Sequence, residues 1–127
     1  VIDSDPKSTT YGNVITTTPI GVAGTNPYYA EHLAPRGAQL FTNGYDSGRT
    51  FLFDFSARRS PELKCELGQL DNFNFPHSFL RLDDETLLAT LQYGDGSEAG
   101  NPGGLVRFDS SATLIDIASA KDPAFEG

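Results

Sequence analysis

Histidine and cysteine are the side chains of this sequence with the most chemistry to offer, and both are scarce. His32 and His77 are the two histidines, 45 residues apart, and Cys65 is the single cysteine. Neutral imidazole is the commonest metal ligand and suits copper, zinc and iron. We therefore identify His32 and His77 as candidate metal ligands, with Glu31, aspartates or further histidines needed to complete a tight site. The alternative for each is an ordinary histidine that caps a strand through hydrogen bonds.

Two other candidates for a chemical role are better explained by a structural role. Cys65 alternates with Leu63 and Leu67, which predicts a strand, and a buried cysteine behaves as a small hydrophobe. A thiolate could instead bind metal or act as a nucleophile. The stretch GYDSG, residues 44–48, contains a serine but lies between two predicted strands, so we interpret it as a hairpin turn.

Strand patterns dominate the elements that would position these residues. One short helix candidate, PYYAEHL, covers Pro27 to Leu33, and Asn43-Gly44 is typical of a turn. HSFLRL and TLLATLQY are expected to pair through a turn at residues 83–85. The predicted strands cover residues 13–18, 38–42, 50–55, 64–70, 77–82, 86–93, 104–109 and 113–118.

The strands repeat in order. Units starting at His32 and at His77 each contain four strands, and the third strand ends in Phe53-Asp54 or Phe108-Asp109. A four-strand unit that recurs every 40 to 50 residues or so is typical of a β-propeller blade, although a β-sandwich would also fit. We predict an all-β partial β-propeller with about two four-stranded antiparallel blades plus part of a third.

In domain terms, residues 1–127 would be a single fragment of a larger propeller, with blade-like units at about 28–70 and 72–118. The first strand of a blade lines the central channel. Both imidazoles are therefore expected to face one axial site. The remaining blades would come from the same precursor or from other chains.

Charge and hydropathy limit the partners. Seventeen acids against nine bases give a net charge of −8, which excludes nucleic acid as an expected partner. No apolar run reaches the length of a membrane span, and no signal peptide or methionine is present. We expect a mature or internal piece of a longer precursor that is soluble, and we prefer a periplasmic or secreted location to others.

Several segments together resemble the N-terminal part of the selenium-binding protein and methanethiol oxidase family. Their order and spacing carry the resemblance, which covers nearly the whole chain. The segments are VIDSDPKSTTYGNVI, KCEL, PHS, DDETLLATLQYGD and GNPGGLVRFD.

The resemblance implies a propeller of about seven blades, a small thiol or selenium compound as ligand, and a copper site built from histidines. His77 matches the histidine of the family's Pro-His-Thr segment, and His32 lies near its His-His pair. The chain also departs from the pattern. Glu31 takes one position of that pair, Leu80 replaces a histidine three residues after His77, and the selenium-linked cysteine has no counterpart.

Two functions follow as expectations. One is a metal-dependent oxidase of small thiols such as methanethiol, with copper as the cofactor that the resemblance implies. The alternative is a non-catalytic propeller module that binds a ligand or a protein partner. The replacement of the family histidine by Leu80 favours the alternative.

Overall fold

The chain folds from strands and turns. The computed structural model describes residues 1–31, 37–70, 72–94 and 102–121, and these ranges contain seven β-strands and no helix. Every paired strand is antiparallel to its neighbour. The strands form one sheet of three and one sheet of four, so the predicted all-β fold is confirmed and is consistent with a partial propeller. In the described ranges, no helix is long and apolar enough to cross a membrane.

The first sheet contains β1 (Gln39–Gly44), β2 (Arg49–Asp54) and β3 (Glu62–Leu67), in that order. Residues 45–48 form the predicted hairpin turn, in which Gly48 has a φ of 65° and donates its N–H to the Tyr45 carbonyl at 3.0 Å. Such a positive φ is readily adopted by glycine.

The turn predicted at Asn43-Gly44 is wrong, because both residues lie inside β1. Gly44 is required there for space rather than for turning the chain. A Cβ atom on Gly44 would lie 2.8 Å from the Phe51 ring and 2.7 Å from the Ser47 hydroxyl.

The second sheet contains β4 (Asn74–Arg81), β5 (Leu87–Tyr93), β6 (Gly104–Phe108) and β7 (Leu114–Ser119), in chain order. The predicted pairing of HSFLRL with TLLATLQY is confirmed, since β4 and β5 are antiparallel neighbours. Their connection is closed by a 2.8 Å hydrogen bond from the Leu82 N–H to the Thr86 carbonyl. Residues 95–101 lie outside the described ranges.

The hydrophobic core lies between the two sheets. Phe41 of β1 stacks on Phe108 of β6 with ring centroids 6.1 Å apart, and it meets Phe79 of β4 at 6.4 Å. Facing apolar sheet surfaces that exclude water are the main source of stability in such a packing. The buried members of the core cluster are Phe41, Leu52, Phe79, Leu87, Ala89, Leu91, Val106, Phe108 and Ala112.

The segment before β1 is extended, so the helix predicted for Pro27 to Leu33 is wrong as far as Glu31; His32 and Leu33 lie outside the described residues. Ala30 forms an antiparallel bridge with Thr42 of β1. The Glu31 N–H donates to the Phe41 carbonyl at 3.2 Å, and the Asn43 N–H donates to the Tyr29 carbonyl at 2.9 Å. Residues 29–31 thus run beside β1 in the place of a first, innermost strand.

The N-terminal segment lies against the side of the first sheet that faces away from the core. The Thr18 hydroxyl donates to the Pro61 carbonyl at 2.7 Å, and Val1 and Thr18 share a cavity with Leu40 and Phe53. The strand expected at residues 13–18 is reduced to one bridge between Val14 and Ile2. Its β-branched residues pair with no sheet among the described strands, and Val14 is largely exposed.

Candidate functional site

One buried asparagine joins the innermost segments of the two sheets. The Asn43 side chain is fully buried; its Oδ1 accepts hydrogen bonds from the N–H groups of Tyr28 and Tyr29 at 2.9 and 2.7 Å. Its Nδ2 donates to the Pro76 carbonyl in β4 at 2.7 Å. Asn43 thereby fixes the backbone of the tyrosine pair and the backbone just before His77.

A β-bulge in β4 sets the direction of His77. Pro76 pairs with Leu91 and Phe79 pairs with Ala89, so His77 and Ser78 together oppose the single residue Thr90. Bulges bend a strand and redirect its side chains, and they are common beside functional sites. Here the bulge leaves Phe79 in the core while His77 faces the tyrosines, and the Thr90 hydroxyl accepts the Ser78 N–H at 3.0 Å.

His77 lies in a cluster of aromatic rings. Its ring centroid is 4.4 Å from that of Tyr29, 5.8 Å from that of Tyr28 and 6.4 Å from that of Tyr45. Tyr45 also meets Phe75 at 5.6 Å. Offset and edge-to-face aromatic pairs at these distances are favourable. The His77 Nδ1 is 3.0 Å from the Ser78 hydroxyl, so its second nitrogen points away from that contact.

Phe75 reaches this cluster through an unusual backbone conformation. Its φ is 56°, which is rare for a bulky residue, and such strain is often found at functional sites. The Phe75 N–H donates to the Asn74 Oδ1 at 2.9 Å, which supports the conformation. The result is that the Phe75 ring packs between Tyr45 and Tyr93, at 5.6 and 5.4 Å.

The aromatic cluster opens to solvent as a pocket of about 310 Å³. We call it the His77 pocket, and the described residues that line it are Asn26, Tyr28, Tyr45, Asp46, His77 and Gln92. The Tyr45 hydroxyl donates to the Gln92 Oε1 at 2.6 Å, and the Gln92 Nε2 donates to the Tyr93 hydroxyl at 3.0 Å. These bonds hold the polar groups of the wall to one another.

Glu31 takes part in a buried ion pair beside the pocket. Arg81 of β4 donates two parallel hydrogen bonds to its carboxylate, at 2.8 and 2.6 Å, and the Phe41 N–H donates a third at 2.9 Å. The side chains of Glu31 and Arg81 are 2% and 13% exposed. A bidentate, charge-assisted pair of this kind fixes geometry strongly. Glu31 therefore connects the two sheets and is committed to Arg81.

The described residues do not by themselves fit a copper centre. No group of three or more His, Cys, Asp or Glu within them is close enough to hold a metal ion. His77 would supply one imidazole, Glu31 is held by Arg81, and His32 lies outside the described residues. The shared site of His32 and His77 remains a prediction.

Cys65 and Leu80 lie away from the pocket. Cys65 is a half-buried free thiol on β3 that pairs with Leu52 and packs against the core, in keeping with a structural role. Leu80 is 58% exposed, whereas Phe79, the residue before it in β4, is buried in the core.

The pocket and the buried amide that supports it include residues that the sequence analysis did not single out. Tyr28 was part of an expected helix, Tyr45 part of a hairpin turn, and Asn43 part of an expected turn. The available signal was composition: three of the five tyrosines, at positions 28, 29 and 45, fall within 18 residues that flank one predicted strand.

The fold is that of an antiparallel, all-β protein with propeller-like sheets, and comparison with solved structures supports it. A hypothetical selenium-binding protein from Sulfolobus tokodaii matches with a TM-score of 0.74 and 17% sequence identity. The match covers 90% of this chain and 29% of that protein, so the chain spans less than a third of its length. At such a low identity, the TM-score shows a shared fold and nothing more. The name of the neighbour agrees with the family that the sequence resembles. Neither protein-family models nor curated proteins match the chain.

Proposed function

We propose that this chain is the part of a propeller-type protein that binds a small molecule in the His77 pocket. One observation supports this above others: His77 and two tyrosines from three separate segments converge on a pocket of about 310 Å³. Ligand sites are typically concave, lined by aromatic groups and supplied with a few polar groups. The buried Asn43 amide, which serves both sides of the pocket, fits a site that must keep its shape.

The second candidate is the oxidation of a small thiol at a metal held by His77 and His32. The resemblance to methanethiol oxidases and the name of the structural neighbour favour it. It requires ligands beyond those in the described residues, so we rank it below ligand binding. In that case a small thiol or selenium compound would be the ligand of the same pocket.

NMR of the imidazole rings tests the proposal directly, because the chain has only two histidines and a His77→Ala variant assigns their signals. We expect at least one compound from a panel of small thiols, selenite, amines and neutral alcohols to shift the His77 signals in a saturable way. His77→Ala should abolish that binding, and Leu80→Ala, an exposed change on the same strand, should not.

Metal analysis of the full-length protein separates the two candidates. A stoichiometric transition metal that is lost in His77→Ala favours the oxidase. Saturable binding of an organic compound by metal-stripped protein favours the binding module. If His77 signals remain unmoved by every compound and every metal, the pocket is not a ligand site.

A further inference from the structure

We propose that the His77 pocket selects organic cations, such as compounds with an ammonium group, over neutral molecules of the same shape. This inference rests on the proposed function and specifies its ligand class. It follows from the aromatic surfaces of the pocket and from the charge of the residues that line it.

The three rings at the mouth form a nearly equilateral arrangement. The centroid of Tyr28 is 5.9 Å from that of Tyr45 and 5.8 Å from that of His77, and Tyr45 and His77 are 6.4 Å apart. A cation is attracted to the face of an aromatic ring when it lies within about 6 Å of the ring centroid. Because the rings touch one another, a cation would rest on an exposed ring face, such as that of Tyr28, rather than between separated walls.

The exposure of Tyr28 and the charge of the lining residues also favour binding of a cation. Tyr28 is 63% exposed, so its ring surface is available to a ligand. Asp46 is the acid among the six described lining residues, and none of these six is lysine or arginine. The chain as a whole carries a net charge of −8, which favours the approach of a cation over that of an anion.

Some polar groups of the wall are engaged within the protein. The Gln92 amide is engaged by the hydroxyls of Tyr45 and Tyr93, and the Tyr45 N–H donates to the Asn26 carbonyl at 3.1 Å. The aromatic surfaces and the Asp46 carboxylate lie together in the lining of the pocket. A carboxylate beside aromatic faces complements a positive charge that carries apolar groups.

The test compares choline with 3,3-dimethylbutan-1-ol, its uncharged isostere, by calorimetric titration of the full-length protein. We expect choline to bind about tenfold more tightly, since an exposed cation–π contact and a nearby carboxylate each contribute a few-fold. Tyr28→Leu and Asp46→Asn should each weaken choline binding several-fold and leave binding of the isostere almost unchanged. Tyr11→Leu is the matched control, because Tyr11 is 61% exposed and lies outside the pocket.

The outcomes separate this inference from the proposed function. Equal or tighter binding of the uncharged isostere, lost in His77→Ala, overturns cation selection and supports a small-molecule site. Binding of neither probe also overturns cation selection, and the compound panel with the His77 signals then decides whether the pocket binds small molecules. Choline binding that is unchanged in both pocket variants places the cation elsewhere and likewise overturns the inference.

Discussion

At the scale of single residues, Asn43 carries an unusual share of the structure. Its amide accepts two backbone N–H groups and donates to the Pro76 carbonyl, and all of this occurs with the side chain fully buried. A buried polar group that loses its partner costs about 1–3 kcal/mol. Removal of the amide would take this partner from the buried Pro76 carbonyl and from two part-buried N–H groups.

We therefore expect Asn43→Ala to lower the free energy of unfolding by about 3 kcal/mol. Urea denaturation of the variant and the parent protein measures this difference. Asn13→Ala, at an exposed position, is the control and should change stability by less than about 0.5 kcal/mol. A similarly small effect of Asn43→Ala would mean that water replaces the amide at this position.

Some residues of the site could be found in the sequence by their type. Others became apparent only from their contacts with residues far away in the chain. His77 stands out in sequence because histidine is rare here, and the structure places it in the pocket. Asn43 does not, because asparagine before glycine is the usual signature of a turn. Its partner at Pro76 is 33 residues away, a relationship that a local pattern does not contain.

At the scale of elements, the β4–β5 and β6–β7 connections share one design in which an aspartate accepts hydrogen bonds from residues that follow it. Asp84 accepts the Thr86 hydroxyl at 2.6 Å, and Asp109 accepts the Ser111 hydroxyl at 2.7 Å and the Thr113 N–H at 2.8 Å. Hydrogen bonds from Thr86 lower the pKa of Asp84, and those from Ser111 lower the pKa of Asp109. These turns favour the charged carboxylate.

The direction in which stability changes with pH follows from these lowered pKa values. Because the pKa of each carboxyl is lower in the folded than in the unfolded protein, its contribution is complete above the ordinary aspartate pKa of about 4. That contribution is lost as the pH falls through the folded values. We expect the urea midpoint to decrease steadily below about pH 4, with a flatter profile in Asp84→Asn/Asp109→Asn. Asp83→Asn, at an exposed neighbouring position, should keep the parent slope.

Strands were predictable where apolar residues alternate, and their ends were less so. The seven segments after residue 37 that carried this pattern all form strands. Their ends lie within two residues of the predicted ones, except that β3 ends three residues early at Leu67 and β4 begins three residues early at Asn74. The failures have a common cause. Residues 13–18 have strand-forming side chains but pair with no described sheet, and residues 27–31 are extended because β1 pairs with them.

At the scale of the whole molecule, the outer surface of the second sheet carries exposed apolar side chains. We call this surface the far face; it lies opposite the core, and Leu80 and Leu105 on it are 58% and 47% exposed. Ile115 nearby is 51% exposed. In a complete propeller each sheet packs against the next, so we propose that further blades, from the same precursor or from other chains, cover this face.

We expect residues 1–127 alone to form a defined oligomer or to aggregate, because apolar surface of this kind drives association. Sedimentation over a range of concentrations measures it. Leu80→Lys/Leu105→Lys should reduce association by placing charge on the far face, and Lys7→Glu, away from it, should not. A monomer with a sharp thermal transition at every concentration would contradict the proposal that other blades complete the molecule.

The order of the two sheets could be predicted from the sequence repeat. Whether His32 and His77 form one site could not. The repeat predicted two four-stranded units at about 28–70 and 72–118, and the structure has a three-stranded sheet followed by a four-stranded sheet. The joint position of His32 and His77 depends on residues outside the described ranges. Packing between sheets also fixed features that no strand pattern encodes, above all the pair of Glu31 and Arg81.

The amide of Asn43 has a consequence for the kinetics of binding. Since it holds the backbone of Tyr28 and of Pro76 at once, the two sides of the His77 pocket are already in register before a ligand arrives. A ligand then spends little of its binding free energy on ordering the protein. Association should approach the rate of a diffusional encounter, and compounds that differ in affinity should differ mainly in how long they stay.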